Sequence, residues 1–360
     1  NVLDPEMIRL IRTALDAWRD DPEVRLVTIE GAGGRAFCAG GNVRLIRDNV
    51  LRGDAAASEA FFSAEYRVNR MIAEYPKPYV ALIDGLSMGG GMGLSIHGSH
   101  RVVTEHAVMA MPETAIALFP DIGASYFLSR LPGRIGLYLA LTGTRVSAGD
   151  AISTGLATHY VPRAALEALK AALAREGVAA LAAHAHTAPE SLLARDRAAI
   201  DRCFAADDVM EILRALEAEG TEWARRTLET LRQMSPTSMC VTAELLKRGA
   251  TMTLPECLEM ELRLTRGVIR HPDFAEGVRA QVIDKTRDPA LPGKPEASII
   301  SNQTRTHLDL LETSNRSSKS CPNCILKTRA TRFTEICRME SMVHSQLNAT
   351  TSAIITARRR

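Results

Sequence analysis

Glu113 and Asp121 stand inside residues 109–123, a stretch that is otherwise apolar, and each adjoins a proline that restricts the local chain. A carboxylate among apolar neighbours is costly unless it is paired or used. Burial also raises its pKa, which suits proton transfer near neutral pH. The plainer reading is two loop acids at the surface, solvated or capping. Two glycine clusters, residues 35–42 and 85–93, each follow a β-rich run. Glycine permits positive φ and lets a ligand come close to main-chain amides. A helix opening at Gly90 would aim free N–H groups at developing negative charge. Two amides from separate loops, converging on one point, make an oxyanion hole. Read more simply, both clusters are tight turns packing strand on helix. Asn42 is suited to cap a helix after the first cluster.

Other motifs can be weighed directly. Gly85-Leu86-Ser87-Met88-Gly89 matches G-x-S-x-G between a strand and a helix, the context of a nucleophile elbow. A serine hydrolase would then use Ser87 with Asp121 or Asp150 and His159. Neither glycine cluster has the G-x-G-x-x-G spacing of a dinucleotide site. Gly293-Lys294 is followed by Pro295, so no phosphate-binding P-loop is present. Cys321 and Cys324 form one C-x-x-C with only Cys337 and His344 behind it, which is not a zinc-finger spacing. His97 and His100 lack a carboxylate at ligand spacing and are expected at a helix end, on the surface. No metal site is predicted.

These residues need elements to hold them. Ile8, Ile11, Leu15 and Trp18 recur at helical spacing over 5–19, and a second helix is predicted over 56–74. Residues 24–31, 78–85 and 101–104 read as strands. Their continuous apolar runs indicate buried, mostly parallel strands covered by helices. From about residue 148 the pattern is helical, including 165–175, 209–234 and 254–267. The chain has 360 residues and is 46% hydrophobic, enough for a sizeable core. A net charge of +2 excludes reading the whole chain as a nucleic-acid binder. No apolar run reaches a membrane span and no signal peptide opens the chain. Seven scattered cysteines fit a reducing compartment. Beyond about residue 292 the composition changes: 22 of residues 294–360 are Ser, Thr or Asn, and 11 basic residues face 5 acidic ones. This tail is expected to lack structure. Its charge, with Phe333 its one aromatic residue, is a weak case for RNA binding.

Taken in order, these segments resemble the crotonase (enoyl-CoA hydratase/isomerase) superfamily, and within it the 3-hydroxyisobutyryl-CoA hydrolase branch. The resemblance runs from about residue 1 to 289. It rests on Ala36-Phe37-Cys38-Ala39-Gly40-Gly41, Glu65-Tyr66, Lys77-Pro78 through Asp84-Gly85, and Met88-Gly89-Gly90-Gly91. It continues through Met111-Pro112-Glu113 to Pro120-Asp121, Leu141-Thr142-Gly143, Gly155-Leu156-Ala157-Thr158-His159-Tyr160-Val161, and Asp273-Phe274-Ala275-Glu276-Gly277-Val278-Arg279-Ala280 with Ile283-Asp284-Lys285.

The resemblance implies an α/β fold, a spiral of ββα turns followed by a helical C-terminal region. The implied units are a core over 1–187 that lacks the family's first strand, helices over 188–292 and the atypical tail over 293–360. It implies a coenzyme A thioester whose carbonyl oxygen is held by the Gly41 and Gly90 N–H groups. Glu113 matches the family's catalytic glutamate, Asp121 an acid of the hydrolase branch, and Glu65 a further substrate-contacting acid. Hydratases typically carry another glutamate two residues after the Gly-Gly-Gly, where this chain has Gly93. That favours hydrolysis of 3-hydroxyisobutyryl-CoA, a valine-breakdown step without a metal or redox cofactor. The alternatives are an enoyl-CoA hydratase or isomerase, and a non-catalytic acyl-CoA-binding protein. Asn42 stands where the family usually has Asp, and Thr286 and Ala290-Leu291 also depart from its ending. A homo-oligomer is compatible with the family. No membrane or nucleic-acid partner is expected. The Arg- and Ala-rich composition suggests a bacterial cytoplasm, with the mitochondrial matrix as the alternative.

Overall fold

The computed structural model describes residues 1–291 and 353–359. Cys321, Cys324, Cys337, His344 and Phe333 lie outside them. The first helix, α1 (Pro5–Arg19), is capped by Asp4, whose carboxylate accepts from Met7 N at 2.8 Å, and begins with proline where no N–H is needed. Its apolar stripe, from Met7 to Trp18, is buried.

The chain then repeats one step. Strand β1 (Val24–Gly31) leads to the short β2 (Ala36–Cys38), followed by α2 (Val43–Leu51) and α3 (Ala55–Ala73). Strand β3 (Tyr79–Ile83) leads to β4 (Leu86–Met88) and the single-turn α4 (Gly90–Gly93). Strand β5 (His100–Val103) leads to β6 (Val108–Ala110), and β7 (His159–Tyr160) comes later. The first strand of each pair joins one sheet and the second joins another. The sheet orders are β7-β5-β3-β1 and β2-β4-β6, all parallel. Three successive turns are thus stacked, so the loops after β2, β4 and β6 share one edge. This is the expected spiral. Its inner strands are apolar on both faces: Leu26, Val80, Leu82 and Val102 pack under the helix Leu166–Glu176, while Val27, Ile29, Ala81 and Ile83 face the main core.

Two expectations are corrected. The helix predicted over 209–234 is two, Val209–Glu219 and Glu222–Leu231; Gly220 takes a left-handed conformation (φ 60°) and the Thr221 side chain caps the second. The tail is not without structure throughout. Residues Ala353–Arg359 form β8, antiparallel to β1 in the same sheet, with Ile29 opposite Ile355. Ile355 is buried in the main core. A run of β-branched residues between alanines satisfies the open edge of β1, a local pattern that the tail's overall composition hides.

Candidate active site

The stacked loops deliver main-chain groups first. Gly40 and Gly89 have positive φ, 103° and 47°. These turns leave the N–H groups of Gly41 and Gly90 without an acceptor among the described residues. A β-carbon on Gly40 would lie 4.0 Å from Gly90 N, and one on Gly90 would lie 3.1 Å from Gly41 N, so the two amides sit side by side. Asn42 caps α2 through Leu45 N at 3.1 Å. The capping role therefore survives without an aspartate's charge.

The acids approach from two directions. Glu113 opens a 3₁₀ turn just after β6. Glu65 projects from α3. Asp121 ends the loop that follows, and its Oδ2 accepts from the buried Tyr66 hydroxyl at 2.8 Å. Gly41, Gly90, Glu65, Glu113 and Asp121, all five residues expected from the sequence, line one cavity of about 280 Å³. Phe61, Phe62, Ile46, Leu118, Gln281 and Val282 complete its wall, so the C-terminal helical region closes a side that sequence reasoning left open. The carboxylates lie hard against glycine. A β-carbon on Gly89 would meet Glu113 Oε1 at 2.5 Å, and one on Gly90 would overlap Glu65 Oε1.

All three acids are buried, and no cation pairs with them among the described residues. Burial pushes Glu113 well above the usual carboxylate range, and the neighbouring Asp121 adds to this. The same two causes raise Glu65. Burial raises Asp121 to about 6, against the pull of the Tyr66 hydroxyl. The cavity thus holds acids that are partly protonated at neutral pH and able to exchange protons. Glu113 Oε2 is buried without a hydrogen-bond partner, which leaves it available to a ligand.

The other candidates separate. Ser87 Oγ is buried in β4 with no partner. Asp150 is spent on capping, binding Ser147, Ser191 and Leu193 N. His159 bonds Thr158 and faces His100 across 6.0 Å. The elbow-and-triad reading is therefore rejected. His97, expected on the surface, is part-buried and bonds Ile122 O at 2.7 Å. Among the described residues, no three His, Cys, Asp or Glu side chains form a metal-binding group. Position 93 is crowded for a side chain: a β-carbon there would lie 2.7 Å from Asn69 Nδ2 and 3.1 Å from Ile122 Cβ.

Sequence reasoning missed Tyr66 as the holder of Asp121, and Glu261. The latter was detectable. In the helix Leu254–Val268 the buried stripe runs Cys257, Leu258, Glu261, Leu264, Thr265 and Val268, and a carboxylate on that stripe is out of place.

Residues 1–306 match the enoyl-CoA hydratase/isomerase family model, and the chain belongs to that family. Among curated relatives, mitochondrial 3-hydroxyisobutyryl-CoA hydrolase of Xenopus tropicalis is 44% identical over 87% of this chain and 83% of its own length. The human protein of the same name is 44% identical over 80% of this chain and 78% of its own. The fold matches the crystal structure of an enoyl-CoA hydratase from Rhodobacter sphaeroides 2.4.1 with a TM-score of 0.80 and 42% identity, covering 85% of this chain and 90% of that one. A carnitinyl-CoA dehydratase from Mycobacterium thermoresistibile matches with the same score and 39% identity, over 86% and 89% of the two chains.

Proposed function

We propose that the protein hydrolyses an acyl-CoA thioester, 3-hydroxyisobutyryl-CoA, to 3-hydroxyisobutyrate and coenzyme A. The observation that carries this is the pair of unpartnered amides, Gly41 and Gly90, opening on a cavity that Glu113 and Asp121 also line. The thioester oxygen accepts from both N–H groups, which stabilise the charge that develops as the carbonyl carbon becomes tetrahedral. Glu113 works by one of two routes. Its carboxylate attacks the carbonyl carbon, the C–S bond breaks, and water later opens the mixed anhydride; or it takes a proton from water, which attacks directly. In both, the sulfur leaves as thiolate and is protonated. Asp121, fixed by Tyr66, orients water or holds the 3-hydroxyl, and Glu65 contacts the acyl group. Single turnover in ¹⁸O-water identifies an anhydride opened at the Glu113 carbonyl: it alone leaves the first turnover's product unlabelled, with the label in Glu113, whereas a labelled product fits direct attack or opening at the acyl carbonyl.

The rival reading is hydration of an enoyl-CoA, favoured by the names of the two structurally similar proteins. It is opposed by Gly93, where no acid stands and a β-carbon would crowd Asn69 and Ile122. A non-catalytic acyl-CoA binder is opposed by three acids kept buried at a cost in stability. The name of the curated relatives supports the matrix as the compartment. No helix among the described residues is long and apolar enough to cross a membrane. The deciding assay follows coenzyme A release from 3-hydroxyisobutyryl-CoA beside hydration of crotonyl-CoA. Release without hydration, abolished by Glu113→Ala, is the expected result. Hydration without release would overturn the hydrolase reading.

A further inference from the structure

Asp121 is followed by two residues in left-handed conformation, Ile122 (φ 55°) and Gly123 (φ 84°). For glycine this is easy. For a fully buried, β-branched isoleucine it is a strained state that persists only when the surroundings hold it. Two groups from distant parts of the chain do so. His97, beyond α4, bonds Ile122 O at 2.7 Å. Glu261, from the helix Leu254–Val268, accepts from Gly123 N at 2.7 Å, Ser125 N at 3.0 Å and Ser125 Oγ at 2.5 Å.

Glu261 is fully buried and has no cationic partner among the described residues. Burial raises its carboxyl to about 8, and the three donors offset only part of this. A carboxyl of this kind is a poor choice for core stability; an apolar residue of similar volume would cost less there. What it does is tie both amide donors at the start of α5 (Ala124–Phe127) to a rigid helix, fixing the backbone next to Asp121. On the opposite side Tyr66 holds the Asp121 carboxylate.

We propose that Glu261 is a positioning residue for Asp121: it clamps the strained Ile122–Gly123 turn and so sets where the Asp121 carboxylate points in the cavity. The inference rests on the hydrolase reading for its kinetic consequence, but not for the geometry itself. Glu261→Gln keeps the size of the side chain and turns one acceptor into a donor facing an N–H group. The turn then relaxes and Asp121 leaves Tyr66.

Two measurements test this. The first needs no activity. With tyrosine labelled at Cζ, the Tyr66 resonance, assigned through Tyr66→Phe, reports its bond to Asp121. Asp121→Asn moves it, and Glu261→Gln is expected to move it the same way. A Tyr66 resonance unchanged by Glu261→Gln, in a folded protein, overturns the proposal. The second is a double-mutant cycle on coenzyme A release. Glu261→Gln alone is expected to lower kcat about 10- to 100-fold, with KM changed much less. In the Asp121→Asn background it should cost little more. Full multiplication of the two losses would mean that Glu261 acts only on general stability, and would also overturn the proposal. Should Glu261→Gln fail to fold, Ser125→Ala removes one of the three bonds and should reproduce both effects in smaller measure. A wild-type protein that releases no coenzyme A would defeat the hydrolase reading and leave the resonance test of the clamp standing.

Discussion

Two kinds of group line the cavity and share the proposed chemistry: main-chain amides, those of Gly41 and Gly90, and side chains, Glu65, Glu113 and Asp121. The amides are held by the stacking of spiral turns, so their aim is a property of the fold and their polarity is permanent. The acids are aimed by individual contacts: Tyr66 on Asp121, and the glycine surfaces of residues 89 and 90 against Glu113 and Glu65. Their charge depends on pH and on one another. The amide side is therefore insensitive to solution conditions and sensitive to backbone geometry, whereas the acid side responds to pH as well.

The strongest break of this contrast is on the acid side. Glu113→Gln is expected to lower kcat for thioester hydrolysis by about 10³-fold or more, with substrate still bound, as calorimetry on the variant would show. Retained hydrolysis would remove Glu113 from the mechanism. The amide side gives the next effect and divides within itself. Gly90→Ala places a methyl group against Glu65 and the Gly41 amide, and a loss of about 10²- to 10³-fold in kcat is expected. Gly41→Ala meets only the Phe61 ring at 3.4–3.5 Å and should lose no more than about tenfold. Equal losses would mean the two amides are not constrained as described. Tyr66→Phe comes third. It removes the hydroxyl that lowers the Asp121 pKa, so any limb of the pH–rate profile set by Asp121 should move to higher pH, with a roughly tenfold loss at most. A stationary profile would detach Asp121 from the rate-limiting protonation.

The smallest effect is on stability, and it favours the damaged protein. Buried acids with raised pKa values stabilise the fold fully below their ordinary range near 4.5. That contribution is lost as pH rises through the folded-state values, which reach about 8 at Glu261. Glu65→Gln or Glu113→Gln should raise Tm by about 2–5 °C at pH 8 and by less at pH 5. Equal shifts at both pH values would show that the burial of their charged forms is not the cost these carboxylates carry.

The glycine half was far more legible in the sequence than the acid half. Glycines that close strands mark turns, so the two glycine clusters and a helix opening at Gly90 followed from local rules, while the Gly41 amide came from the family resemblance. The strands β1, β3 and β5 were visible in continuous apolar runs. Strands β2, β4 and β6, three residues each, were not, because so short a run has no readable period. Among the acids, apolar surroundings singled out Glu113 and Asp121, but only the family resemblance picked out Glu65. Tyr66 and His97 act through contacts 55 and 25 positions away in the sequence, and no local pattern encodes such a distance.

Strand β8 has a consequence for how the molecule is made. Its partner β1 is synthesised more than 300 residues earlier, and the pairing of Val27 with Ala357 is among the least local contacts in the protein. Until β8 is made, the flank of β1 that it covers lacks this partner. An apolar strand with an open flank is a template for a strand from another chain. Pairing with β8 therefore removes an aggregation risk late in synthesis. A holdase chaperone that covers the β1 edge during synthesis would raise the yield of folded protein more than one acting after release.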